Sequence, residues 1–179
     1  NAVFDGAGGV MLSGETSIGQ YPVETVRMMT RILIQAEKRL VALPMIEPSN
    51  HLRNAAGFSG AAAYAAARTA RELNARAILT FTQSGTTALL VSKYRPACAI
   101  IGATLYPRIA RRMSLYWGVV PFVFDKITST ESLVEDVDKR LLGARLVKRG
   151  DVIVITSGVP VGQSGTTNLM KIHRIGESD

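Results

Sequence analysis

What most constrains this chain is an alternation that sets in at residue 76. Four apolar runs, RAILTFT (76–82), AIIGAT (99–104), GVVPFVF (118–124) and DVIVITSG (151–158), are separated by segments of helical character at 84–95, 107–115 and 129–146. Strands alternating with helices build a parallel sheet. Pro121 inside the third run predicts an edge strand or a bulge, because proline cannot donate to a ladder. An Ala-rich helix, AAAYAAARTARELN, precedes the first run and allows close backbone approach. A fifth strand, NLMKIHRI (168–175), follows the loop VPVGQSGTT. Nine residues can return the chain antiparallel but are too few for a helical crossover. The expectation is an α/β domain: a mostly parallel five-stranded sheet with one antiparallel edge strand, flanked by helices.

Upstream, AGGVML (7–12) reads as a buried strand, and SGETSIGQ as a polar loop. A helix then starts at Pro22, where a missing N–H costs nothing. Val23, Val26, Met29, Leu33, Ala36 and Leu40 recur at three- and four-residue steps, giving an amphipathic helix of about five turns. ALPMIEPSNH (42–51) breaks the pattern with two prolines. The predicted division is therefore residues 1–43, one strand–loop–helix unit, and residues 44–179, the α/β domain. The first unit cannot cover its own apolar faces.

Composition narrows the function classes. The single cysteine, Cys98, lies in the apolar run PACAIIGAT and rules out an internal disulfide. His51 and His173 have no ligand-like spacing, so a zinc site is not expected. No signal-peptide pattern and no apolar run long enough to span a bilayer is present, so a soluble, cytoplasmic chain without membrane partners is expected. A net charge of +7 favours a phosphorylated or acidic ligand. The basic residues (Arg68 and Arg71; Arg108, Arg111 and Arg112; Lys139 and Arg140; Lys148 and Arg149) fall at helical intervals without interleaved aromatics. They read as solvated helix faces, not a nucleic-acid surface.

Two loops share a composition: TQSGTT (82–87) after the first strand and GQSGTT (162–167) before the last. Each offers glycine, hydroxyls and backbone N–H groups, and the first opens a helix, where the dipole favours an anion. Ser-Gly-Thr-Thr is also an ordinary turn and cap. The fourth strand of a right-handed α/β sheet normally lies beside the first, so the two loops would face one crevice. Their pairing points to a two-sided cradle for phosphate. No Walker lysine follows either glycine. LSGET (12–16) places Ser13 and Glu15 after a strand, where barrel enzymes build active sites; these residues equally serve to solvate a loop.

NAVFDGAGGVMLSGETSIGQYPVETV resembles the last strand–helix unit of the catalytic barrel in the pyruvate kinase family. ELNARAILTFTQSGTTALLVSKYRP, LYWGVVP and GDVIVITSGVPVGQSGTTNLMKI are similar to its C-terminal domain, in a bacterial form. The resemblance implies phosphoryl transfer from phosphoenolpyruvate to ADP with Mg²⁺ and K⁺ in a homotetramer. It further implies that the metal ligands and catalytic lysine belong to segments upstream of those matched here. This chain is then expected to bind a phosphorylated effector and not to catalyse, with Ser13 and Glu15 at the rim of the active site. The resemblance places the effector on the two SGTT loops, at Thr82, Ser84, Gly85, Thr86 and Thr87 with Ser164, Gly165, Thr166 and Thr167 opposite. It aligns Arg140 with an arginine that in animal members reaches the second phosphate of a bisphosphate. Leu133 stands where the family's animal members have tryptophan, and Gln83 and Thr86 replace charged residues. These departures favour a sugar monophosphate or nucleoside monophosphate over a bisphosphate. Gly8 and Ile18 also depart from the family pattern.

Overall fold

The computed structural model describes residues 1–40, 57–124, 130–158 and 167–177. The chain divides into two compact units, Asn1–Met45 and Ile46–Asp179.

In the first unit, α1 (Gly14–Ser17) leads into α2 (Pro22–Leu40). The helix begins at Pro22 as its sequence predicts, with Glu24 in the first turn and Lys38 and Arg39 in the last. That charge order suits the helix dipole. The strand expected over 7–12 does not form: these residues carry no strand, Val10 is exposed and Met11 is 86% exposed. A strand is stable only when neighbours accept its backbone groups, and no other strand lies among the described residues of this unit to do so. Much of the apolar surface of α2, including Val23, Val26 and Ile32, is likewise exposed.

The second unit comprises α3 (Gly57–Glu72), β1 (Ala77–Phe81), α4 (Thr86–Lys93), β2 (Ala99–Thr104), α5 (Pro107–Met113), β3 (Val119–Val123), α6 (Thr130–Gly143), β4 (Val152–Gly158) and β5 (Thr167–Arg174). The sheet order is β3-β2-β1-β4-β5. β1 pairs in parallel with β2 and with β4, and β2 with β3, whereas β5 runs antiparallel to β4. Both sequence expectations hold: the fourth strand lies beside the first, and the antiparallel strand forms an edge. Pro121 sits on the opposite edge strand, where its missing N–H leaves no gap in an interior ladder.

Every residue of β1 is buried. Against one face of the sheet, Val137 and Leu141 of α6 pack on Leu79, Ile101, Ile153 and Ile155. On the other, Ala88 of α4 meets Ile109 and Met113 of α5. Ala63, Ala66, Ala67 and Ala70 form the buried stripe of α3, which packs on α4, β4 and β5. Each fully buried Ile, Leu or Val contributes about 1.5–3 kcal/mol relative to exposure. The result is a stiff platform that fixes where the β1 and β4 carboxyl ends stand.

Candidate functional site

At the carboxyl end of β1, the chain leaves Phe81 and turns through Thr82–Gly85 into α4. Thr82 is still tied to the sheet, its N–H donating to the Ala103 carbonyl at 2.9 Å. Its hydroxyl in turn accepts the Gly85 N–H at 2.9 Å. Gly85 occupies the N-cap position of α4 with φ +81°, in the left-handed region. A glycine suits that conformation because it carries no Cβ to strain. Ser84 Oγ and Thr86 Oγ1 lie 2.9 Å apart, and Ser84 Oγ also accepts the Thr86 N–H at 3.4 Å. Gly85 has no side chain with which to cap α4, and the Thr86 amide is instead met by Ser84 Oγ. First-turn amides have no acceptor inside a helix, so this end carries partial positive charge beside three hydroxyls.

The second loop meets the first at its last residue. Thr167, the start of β5, places its Oγ1 2.7 Å from Thr87 Oγ1 in the first turn of α4. Thr87 and Thr167 are 5% and 4% exposed, so this bond is made away from solvent. Of the nine residues expected at the phosphate site, Thr82, Ser84, Gly85, Thr86, Thr87 and Thr167 are brought together at one corner of the sheet. Ser164, Gly165 and Thr166 lie outside the described residues.

Arg140 extends over the Phe124 ring, 5.1 Å from its centroid. Phe124 in turn contacts Phe81, the residue before the loop, at 5.5 Å between centroids. Leu133 falls within α6. The sequence pattern does not single out Arg112. A side-chain carbon built on Gly85 would lie 3.4 Å from Arg112 Nη2 and 3.3 Å from Met113 Cγ. The three arginines of α5 share the look of a solvated face, and only the packing of α5 on α4 distinguishes one of them.

In the first unit, Ser13 and Glu15 interact with each other. The Glu15 carboxylate accepts the Ser13 N–H at 3.0 Å, and Thr16 Oγ1 donates to the Ser13 carbonyl at 3.1 Å. Hydrogen bonds from the backbone of Glu15 itself and of Ser13 hold this exposed carboxyl below the usual glutamate range. Cys98 is part-buried, and its burial pushes the thiol up, away from the reactive thiolate. Among the described residues no group of three or more His, Cys, Asp or Glu could hold a metal ion. No helix among them is long and apolar enough to cross a membrane.

Comparison with known proteins gives a consistent result. The family model described as the pyruvate kinase alpha/beta domain matches residues 60–173. A pyruvate kinase of Sporosarcina psychrophila is 42% identical over 177 residues, covering 99% of this chain and 30% of that protein. One from Mycobacterium tuberculosis (strain CDC 1551 / Oshkosh) is 40% identical over 179 residues, covering all of this chain and 37% of its own length. Among solved structures, a pyruvate kinase from Cryptosporidium parvum superposes with a TM-score of 0.77 at 34% identity, covering 98% of this chain and 34% of that one. The chain thus spans about a third of the length of these relatives. With its sheet order, its antiparallel edge strand and its sequence all in agreement, the chain belongs to the pyruvate kinase family.

Proposed function

We propose that this chain is the effector-binding part of a pyruvate kinase, a phosphotransferase that converts phosphoenolpyruvate and ADP into pyruvate and ATP in the cytoplasm. The bound ligand is a phosphorylated small molecule, either a sugar monophosphate or a nucleoside monophosphate. Its phosphate sits between Thr82, Ser84, Gly85, Thr86 and Thr87 and the opposing loop that ends at Thr167. The observation that carries this reading is the 2.7 Å contact between Thr87 and Thr167, which joins two hydroxyl-rich loops far apart in sequence. Amides at the start of α4 supply the donors that a phosphate requires.

Phosphoryl transfer itself rests on positioning and on metal-borne charge stabilisation. In this reading Mg²⁺, K⁺ and the substrates are held by the rest of the enzyme, and Ser13 and Glu15 stand at the rim of its active site. The domain also carries contacts of the homotetramer. The 179-residue chain should therefore generate no pyruvate from phosphoenolpyruvate and ADP.

Calorimetric titration tests the effector assignment, using AMP, ribose 5-phosphate, glucose 6-phosphate and fructose 1,6-bisphosphate, with sulfate as control. Saturable binding of one monophosphate, abolished in Ser84→Asp, is the expected result. The introduced carboxylate would occupy the anion position and repel the ligand. Absence of binding by every ester would reject the reading and leave the domain a structural one.

A further inference from the structure

The segment Thr82–Thr87 is uncharged. A phosphate monoester near neutral pH carries close to two negative charges, and amides and hydroxyls alone leave most of that charge uncompensated. The family resemblance assigns a cation to Arg140, yet its guanidinium lies over the Phe124 ring. Other arginines are engaged too: Arg68 with Glu72, Arg174 with Glu177, and Arg95 over Trp117. Arg112 differs from these. Its side chain has no ion pair or hydrogen bond among the described residues, and it is exposed. Its Nη2 atom stands 3.4 Å from the point where a Gly85 side chain would begin. Arg108 and Arg111 share the helix, but Arg112 is the one whose guanidinium lies against the loop. The missing Cβ of Gly85 thus leaves room for the turn and for the close approach of a guanidinium.

We propose that Arg112 is the cation of the phosphate site, a binding residue that grips the ester's phosphate from the α5 side while Ser84, Thr86 and the α4 amides take its remaining oxygens. This rests on the phosphate-binding reading given above and extends it. It names the group that makes the site prefer a dianionic monophosphate, in place of the arginine on α6. The planar guanidinium can bind two phosphate oxygens at once, which an ammonium cannot. Met113, fully buried beside Gly85, anchors the adjacent position of α5 and so fixes the root of the Arg112 side chain.

The test is calorimetric titration of the full chain with AMP and ribose 5-phosphate, comparing wild type, Arg112→Gln, Arg112→Lys and Arg71→Gln. The last variant removes the same charge from α3 and controls for net charge alone. Arg112→Gln should weaken the bound ester by about tenfold or more, the loss of a charge-assisted bidentate contact. Arg112→Lys should recover part of that loss, and Arg71→Gln should match wild type. All variants should melt together, since Arg112 makes no polar contact within the described fold. Wild-type binding that Arg112→Gln leaves unchanged would overturn the assignment of Arg112 while the two-loop site stands. An equal loss in Arg71→Gln would reduce the effect to net charge and overturn it as well. No binding by wild type would reject both the site and this residue's part in it.

Discussion

The hydroxyls of Thr87 and Thr167 lie 2.7 Å apart with both residues almost wholly buried, so each is the other's partner across 80 residues of sequence. One hydroxyl donates and the other accepts. Replacing either by valine keeps the shape and strands the remaining hydroxyl without water. Thr87→Val or Thr167→Val should therefore each destabilise the domain by about 1–3 kcal/mol. The double variant, which leaves no orphan, should cost less than the sum. Urea denaturation of the four proteins measures the coupling directly. Additive losses would mean that the hydroxyl pair does not join the loops.

Gly85 offers a second handle on the same corner. With φ at +81°, any L side chain is strained there, and a Cβ would press on Met113 Cγ at 3.3 Å and Arg112 Nη2 at 3.4 Å. Gly85→Ala should lower stability by about 1–2 kcal/mol through the left-handed backbone alone. Displacing the guanidinium should also weaken any phosphate ester that wild type binds. The check is a denaturation midpoint together with a titration of the same variant.

A third relationship ties α6 to the far end of β5. His173, whose side chain is 2% exposed, places Nε2 2.8 Å from Asp138 Oδ1. The other carboxylate oxygen accepts the Gly176 N–H at 2.6 Å. Asp138→Ala removes both acceptors and leaves a buried imidazole unsatisfied. A loss of about 2–4 kcal/mol is expected, with Asp138→Asn retaining part of it through its carbonyl oxygen. Thermal melts of the two variants would show whether the carboxylate matters beyond its hydrogen bonds.

How much of this was legible in the sequence depends on whether the cause is local. The β1, β2 and β4 strands are readable because both of their faces are covered. Residues such as Ile78, Leu79, Ile100 and Val154 are then apolar on either face, and the buried polar positions among them, Thr80 and Thr156, are small. The TQSGTT loop is readable because its turn and helix start demand particular residues at fixed offsets. Residues 7–12 have an apolar look but no strand neighbours among the described residues of their unit, and composition cannot register that absence. Arg112 and the Asp138–His173 pair were invisible for a related reason. Arg112 acquires its position from the packing of α5 on α4, and Asp138 finds its partner 35 residues away. Both depend on tertiary contact, which helical or strand periodicity does not encode.

The Ser13–Glu15 turn gives a prediction in pH. Backbone hydrogen bonds to the Glu15 carboxylate, first its own N–H and then that of Ser13, favour the charged form and lower its pKa. A carboxyl with a depressed folded-state pKa stabilises its structure fully above the unfolded value, about 4.3 for glutamate. That contribution is lost as pH falls through the lower folded-state value. The α1 turn should thus remain intact at pH 5 and loosen only below the ordinary carboxylate range. In an NMR titration, the Glu15 side-chain carbon and the Ser13 amide should move together, with a midpoint below the usual glutamate value. Glu15→Gln, which keeps an acceptor without the charge, should abolish that titration and leave the Ser13 amide shift flat with pH. An ordinary Glu15 midpoint would show that the carboxylate is not held by the turn.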